Sequence, residues 1–549
     1  MSLLYSKTVY PENLLETRPV VFSLAKVFSN HCVLQRNKPL YFFGTCPENS
    51  EISVTIYSEG KALACGKRFF KGSEFILLLP ALNATDNTTV KAVCKTGNEV
   101  FTQELTDVCF GEVFLAGGQS NMEFELQNCV GGKEELASVK ESKVRFYYTQ
   151  KNAFFDEHFF EAENWSGWQT FSQENAEAWS AVGYFFGKEL AEKLDCTVGI
   201  LGCNWGGTSA TSWMNRETVD KSLDFKKYVE DYEEKIGNDS LEEQKRKYDE
   251  YLAYNAEWQK RIDAFYAKNP NALWEDALKE CGDSIWPGPL NSFNPIRTGG
   301  LYESMLKRVA PYTVKGVIWY QGESDDHRPD MYHELFTAMI NDWRKLFKDD
   351  TLPFIFTQLP MHRYIQDADW KHWCKIREAQ MKTFNTVNHT GIAVCLDCGK
   401  YNDIHPTEKN TVAHRLLLQA LKQVYDDTTL SDEECFAPTI KYSEIIDENT
   451  IKLNFNNMEN GFKIEPSIPY GDPNPIDKIN KAVFEVHYFT NDASEAYEKV
   501  EYVIDNNAIL LKVSNAFDVD EVRYAWTNYG VVELFNKFNQ PLAPFRIKI

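Results

Sequence analysis

Ser120 stands just beyond the apolar run Glu112-Val-Phe-Leu-Ala116 and the pair Gly117-Gly118. A serine past a strand end, on a turn loosened by glycine, can present its hydroxyl above a sheet. That hydroxyl becomes a nucleophile only when a base takes its proton. Taken alone, the stretch reads as an ordinary strand-to-helix turn with Ser120 as N-cap. The neighbours of other strand ends change that reading, because open parallel sheets bind ligands beyond the carboxyl ends of their strands. After Val198–Gly202 comes Cys203-Asn-Trp-Gly-Gly-Thr208. After Gly316–Tyr320 comes Gln321-Gly-Glu-Ser324, and after Ile392–Leu396 come Asp397 and Asn402-Asp-Ile-His-Pro406. A hydroxyl, a bare glycine turn, a side-chain amide and an Asp/His pair then share one rim, which is the set that serine acyl transfer requires.

Each part has a task. Ser120 Oγ would attack an ester carbonyl, and His405 would take its proton and return it to the leaving alcohol. The oxyanion needs donors already in place. The candidates are the backbone N–H groups of Ser120 and Gly207 and the side-chain amide of Gln321. Glycine at 206 and 207 lets backbone approach without a Cβ in the way. His405 must hold its proton on Nδ1, so an acceptor must fix that tautomer. Asp403 is the expected one, being the nearest carboxylate in sequence. Asp397 and a backbone carbonyl remain alternatives, and Asn402 faces His405 if the segment is a helical turn. Gln119 and Asn121 flank the serine, and Glu323 either holds the Gln321 turn or meets a hydroxyl of the ligand.

Singly, each feature also reads as structure: a turn at Gly206-Gly207, a polar strand end at Gln321, a helix start at His405-Pro406 with Pro406 at N1. Gly118-Gln-Ser-Asn-Met122 lacks the second glycine of G-x-S-x-G, so the α/β-hydrolase elbow is not supported. A metal-dependent hydrolase would need a ligand cluster, and His405 and His414 lack a good third partner. Cys395-Leu-Asp-Cys398 has no second pair and reads as packing within a strand and its end. No metal or organic cofactor is expected.

The elements that position these residues follow from apolar rhythm. Strands are expected at Val113–Ala116, Val144–Tyr148, Val198–Gly202, Gly316–Tyr320, Phe354–Thr357 and Ile392–Leu396. Helical spacing lies between them at Ala178–Leu194, Met331–Phe347, His372–Phe384 and Glu408–Val424. Alternation of this kind predicts an α/β fold, a doubly wound parallel sheet covered on both faces. It occupies 109–216 and 291–429. Before it, 19–108 carries short strands such as Leu40–Gly44, Glu51–Tyr57, Phe75–Leu79 and Thr89–Val93, a β-sandwich pattern. After it, 430–549 returns to strands at Thr450–Phe455, Ala482–Tyr488, Ala508–Val513 and Glu521–Trp526. Residues 1–18 read as a tail. Residues 217–290 read as a helical insertion. Ser240-Leu-Glu-Glu243 is a capping box, and Tyr248, Tyr251, Trp258, Ile262 and Phe265 form one stripe ended by Asn269-Pro270. A lid and a mere packing helix are equally open readings.

Composition sets the class. At 549 residues the chain calls for several domains, and 43% hydrophobic with 25% charged residues marks a globular protein. A net charge of −22 argues against nucleic acid and anionic membrane surfaces as partners. No apolar stretch is long enough to span a bilayer. The first residues lack a signal-like apolar region, and the 13 cysteines are scattered, so a cytoplasmic, reducing location is expected. Oligomeric state leaves no mark.

The blocks Gly118-Gln-Ser-Asn-Met-Glu123, Trp205-Gly-Gly-Thr208, Trp319-Tyr-Gln-Gly-Glu323 and Asp403-Ile-His-Pro406 together resemble the sialate O-acetylesterase family, a branch of the SGNH (GDSL-like) hydrolases. The resemblance extends through Val33-Leu-Gln-Arg36, Ser180-Ala-Val-Gly-Tyr-Phe-Phe186, Asp342-Trp-Arg344, Leu352-Pro-Phe354, Arg377-Glu-Ala-Gln380 and Pro544-Phe-Arg546, which is nearly the whole chain. It implies an SGNH-type sheet flanked by two β domains. It also implies Ser120 as nucleophile, His405 as base, and Ser120, Gly207 and Gln321 as oxyanion donors. The implied substrates are O-acetylated sugars, either sialic acids or acetylated plant polysaccharide fragments. Many SGNH enzymes carry Asp three residues before the histidine. Here that position is Asn402, which leaves the orienting acid to be found. Ser120, Gln321 and His405 are intact, which argues against a sugar-binding protein with a decayed hydrolase core.

Overall fold

The computed structural model describes residues 20–154, 157–269, 272, 274–283, 285, 288–467, 481–489 and 497–549. The expected tail and Pro270 lie outside the described residues. The chain divides into two compact units. The larger contains 20–149, 166–210 and 309–549, and holds every strand-end motif of the site.

Its centre is a mixed α/β arrangement. Six parallel strands lie in the order Val144–Tyr148, Val198–Asn204, Glu99–Gly118, Gly316–Tyr320, Phe354–Gln358 and Thr390–Val394, with antiparallel Trp168–Thr170 at one edge. The strand that leads to Ser120 is internal, so its residues from Val108 to Gly118 are all buried. A strand covered on both faces must be apolar throughout, which is why it reads as a continuous run. The helices Ala181–Leu194, Tyr332–Phe347, His372–Thr386 and Asn410–Gln423 lie within about three residues of their expected bounds. They pack in two pairs, the first with the last and the middle two together. Ser180 begins the first by accepting the N–H of Gly183 at 3.0 Å.

The last parallel strand sits two residues earlier than expected. The chain leaves extended geometry at Cys395 and makes a single tight turn over Leu396–Cys398. The Cys395–Cys398 pair therefore lies on a turn rather than in a strand. The turn carries Leu396 into the apolar core of the C-terminal sheet, together with Met361, Val394 and Tyr401.

The expected break at 108/109 falls inside one strand. Glu99–Gly118 is 20 residues long. Its first half pairs antiparallel with Thr85–Thr96, and its last seven residues pair in parallel with Val198–Asn204. The early strands Ser50–Ser58, Lys61–Phe70 and Thr85–Thr96 thus join the same 11-stranded sheet. Ser50–Ser58 alternates buried and half-buried residues, as its period of two predicts. After residue 438, seven strands form an antiparallel sheet.

The second unit contains 150–165 and 211–308. Its longest helix, Leu241–Lys268, starts where Ser240 Oγ accepts the N–H of Glu243 at 3.2 Å. Trp258, Ile262 and Phe265 from the expected stripe pack against Ala277 and Cys281, while Tyr248 and Tyr251 are half-buried.

Candidate active site

The serine strand ends in a constrained corner. A Cβ at Gly117 would stand 2.8 Å from the Trp319 ring, and one at Gly118 would stand 2.1 Å from the Tyr320 carbonyl. Gly118 also has φ +136. The two glycines therefore do more than loosen a turn: they let the neighbouring strand lie flush against the chain just before Ser120. A one-turn helix, Ser120–Glu123, follows with Gln119 in the capping position. Ser120 is thus the first helical residue and not the cap.

Ser120 Oγ lies 2.8 Å from Nε2 of His405, 285 residues away. His405 sits in an irregular segment before the helix that starts at Asn410, so Pro406 is not at its first position. Burial and then the charge of Lys409 hold the imidazole below its ordinary value of 6.5, against the opposing pull of Asp403 and Glu123. A neutral imidazole at this distance can accept the serine proton.

Asp403 does not meet the ring. Its Oδ1 accepts the backbone N–H of His405 at 3.0 Å, and its Oδ2 lies 3.3 Å from Lys400 Nζ. The aspartate caps its own turn, as a short acidic side chain readily does two residues upstream. Among the described residues no acceptor contacts Nδ1 of His405. Asp397 is held by Arg415, with Nη1 at 2.6 Å and Nη2 at 2.8 Å. Asn402 has φ +53 and uses Oδ1 to accept the N–H of Ile365. Neither therefore faces the imidazole.

The glycine turn arrives beside the serine. A Cβ on Gly206 would lie 3.1 Å from Ser120 Cβ, and the Gly206 N–H donates to Glu123 Oε2 at 2.7 Å. Gly207 has φ +71, and its N–H makes no hydrogen bond among the described residues. The Ser120 N–H, at the first position of its turn, has no intrahelical acceptor.

Gln321 departs from expectation. It is fully buried, and its Nε2 donates to Asp325 Oδ2 at 2.6 Å and to the Thr208 carbonyl at 3.2 Å. Both amide hydrogens are thereby committed. Its Oε1 accepts from Tyr332 Oη at 2.9 Å. Asp325 in turn accepts from Ser209 Oγ and the Ala210 N–H. Gln321 thus braces the segment after Gly207 rather than presenting its amide to a ligand, because the strand end aims the side chain inward.

Beneath the serine lies a buried polar chain. Asn121 donates Nδ2 to Glu323 Oε1 at 2.7 Å and to the Ile404 carbonyl at 2.9 Å, and accepts from Lys409 Nζ at 2.7 Å. Its amide thereby ties the serine turn to the turn after Gly316–Tyr320 and to the residue before His405. Burial raises the Glu323 carboxyl to about 7 and lowers the Lys409 ammonium to about 8. Lys409 also faces the rings of Phe124 at 4.8 Å and Tyr320 at 5.5 Å, which suits a cation removed from water. Gln119 Oε1 accepts the N–H of Ser324, closing the same corner. Lys409, Asp325 and the role of Glu123 carry no signal in the sequence, since a lone lysine at a helix start reads as solvated.

Comparison with known proteins bears on the chemistry of this site. Residues 282–421 match the family model described as carbohydrate esterase, sialic acid-specific acetylesterase. This stretch contains Gln321, Glu323, His405 and Lys409. The sialate O-acetylesterase of Mus musculus is 24% identical over 541 residues, covering 92% of this chain and 90% of that protein. The Homo sapiens sialate O-acetylesterase is 23% identical, covering 78% and 72%. A crystal structure of a carbohydrate acetylesterase from Xanthomonas citri superposes with a TM-score of 0.69 at 25% identity, covering 96% of this chain and 99% of that one. A hydroxyl in contact with an imidazole held below its ordinary value, on a chain similar to these proteins over most of its length, is the arrangement of an esterase. Residues 282–421 thus carry the match to the carbohydrate esterase, sialic acid-specific acetylesterase family, and the chain around them is similar to sialate O-acetylesterases over most of its length.

Proposed function

We propose that the protein removes O-acetyl groups from sugars through an acyl-enzyme, with Ser120 as nucleophile and His405 as base and then acid. The observation that carries this is the 2.8 Å contact between Ser120 Oγ and His405 Nε2. Ser120 would attack the acetyl carbonyl as Nε2 takes its proton, and the imidazolium would return that proton to the departing sugar alcohol. Water, deprotonated by the same nitrogen, would then release acetate and restore Ser120.

The oxyanion would be met by the N–H groups of Ser120 and Gly207, both at the serine corner. Gln321 would act indirectly, by holding Thr208 and Asp325 so that Gly207 keeps its place. Asp403 would fix the backbone of His405 and favour the imidazolium by its charge, two residues from the ring. The parallel sheet with a serine after its first strand supports an SGNH-type catalytic domain between the two β regions. Thirteen unpaired cysteines, twelve of them buried, favour a reducing compartment.

Sialic acids are the proposed sugars, on the names of the curated relatives. The test is acetate release from O-acetylated sialic acids against acetylated xylo-oligosaccharides. Activity on the second set alone would move the reading to plant polysaccharide, and activity on neither would end it.

A further inference from the structure

The segment between His362–Arg363 and the helix His372–Thr386 exposes three large apolar side chains: Tyr364 at 46%, Ile365 at 50% and Trp370 at 72%. Both of its ends are tied to stretches that run on to residues of the active site. His362 and Arg363 pair in parallel with Lys400 and Tyr401, and the Asn402 N–H donates to the Arg363 carbonyl at 2.9 Å. Ile365 returns its own N–H to Asn402 Oδ1 at 3.0 Å. This is the stretch that carries His405. At the far end, His372 Nε2 lies 3.4 Å from Asp326, three residues beyond Glu323.

The segment is built rather than loose. Asp367 Oδ1 accepts the N–H groups of Asp369 and Trp370. Asn528, fully buried in the C-terminal domain, donates its N–H to Asp369 and its Nδ2 to Asp367, each at 2.7 Å. The Asn528 carbonyl accepts the N–H of His362, and its Oδ1 accepts that of Trp373. Asp369 and Lys371 adopt φ +61 and +66, so left-handed residues flank Trp370 on both sides. An aromatic residue whose backbone is fixed on both sides while its ring is left in water is one prepared for a partner.

Tyr364 stands at the paired end of the segment. Its ring stands edge-on to His362 with centroids 4.6 Å apart. Burial, followed by the charges of Asp326, Asp403 and Glu323, raises its hydroxyl.

We propose that Tyr364 and Trp370 form the platform for the sugar ring whose acetyl group reaches Ser120. Pyranose rings carry an apolar face of C–H groups with hydroxyls at the edge. Aromatic faces suit the first and the carboxylate of Asp326 the second. The inference rests on the proposed deacetylation of sugars, and it makes Tyr364 and Trp370 specificity-determining residues of that reaction.

The test is steady-state kinetics of the full chain carrying Trp370→Ala, Tyr364→Ala or Tyr364→Phe. Two substrates are compared: an O-acetylated sugar cleaved by the wild type, and ethyl acetate, which has no ring to rest on aromatics. For each alanine variant the ratio of kcat/KM on the sugar to that on ethyl acetate should fall at least about tenfold, mostly through KM. Tyr364→Phe, which keeps the ring, should recover most of the ratio. An unchanged ratio in both alanine variants, with the wild type active on the sugar, overturns the platform alone. A wild type that cleaves ethyl acetate but no acetylated sugar overturns the platform and the proposed function together.

Discussion

The ammonium of Lys409 donates to Oδ1 of Asn121 over 2.7 Å, one residue from the serine and four from the histidine. Its charge is the largest effect after burial that lowers the His405 imidazole. In Lys409→Met that charge is gone, so the imidazole rises toward its ordinary value. The acid limb of kcat/KM, which reports the free enzyme, should then move to higher pH. In the wild type that limb should lie below 6.5. Glu323, already raised to about 7, can take a proton when its counter-charge leaves. The stability loss should therefore stay on the order of 1–3 kcal/mol, the cost of an unpaired buried group. Urea unfolding and a pH–rate profile measure the two effects, and an unmoved acid limb would show that Lys409 only packs.

Ser120→Ala should abolish acetate release from an aryl acetate while the protein stays folded. Ser120 caps no helix, so nothing in its turn depends on the hydroxyl. Removal of one triad member from a serine hydrolase leaves only residual catalysis. Retention of more than about a tenth of wild-type turnover would mean that another group attacks, since the residual catalysis of such variants is far smaller.

Gln321→Ala and Asp325→Asn should lower kcat by similar factors, on the order of 10², the lower end of the loss when one oxyanion donor is misplaced. Both residues hold the segment after Gly207, so the double variant should lose little more than either alone. Additive losses in a double-mutant cycle would instead make Gln321 a direct donor to the oxyanion.

Asp403→Asn keeps an oxygen for the His405 N–H but removes the charge. The charge of Asp403 favours the imidazolium, so its removal takes away part of the stabilisation of the charged base. The expected fall in kcat is therefore roughly 10–100-fold, well short of the ~10⁴ seen when a triad aspartate becomes asparagine. A loss near that larger figure would falsify the capping role and put the carboxylate on Nδ1 in the reacting complex. Asp397→Asn should destabilise the fold by weakening the buried Arg415 pair and leave the pH profile where it was.

The parallel strands and four helices were legible because burial on both faces writes an unbroken apolar run, and a helix on a sheet writes a stripe. The serine and histidine were legible because their place after strand ends limits what they can do. The directions of their supports were not. Gln321 follows a strand whose residues alternate between faces, and the sequence gives no mark of which way its amide turns at the end. Asp403 and His405 are near neighbours either way, yet an aspartate that caps a backbone N–H and one that holds an imidazole look alike in sequence. Lys409 stayed hidden because its burial depends on Phe124 and Tyr320, which come from two distant segments.

The continuous strand from Glu99 to Gly118 works as a ruler. Glu112 to Gly118 is matched residue for residue against Val198 to Asn204, with no irregularity. Both interruptions of register fall upstream, between Thr85 and Val90 on the partner strand. One extra residue in the matched stretch would turn every side chain to the opposite face and carry Ser120 out of reach of His405. The upstream half has slack and the downstream half has none. Length variation should therefore be tolerated at the hairpin tip Gly97-Asn98 and forbidden in the seven residues before the serine corner, so spacing there constrains the active site as tightly as residue identity does.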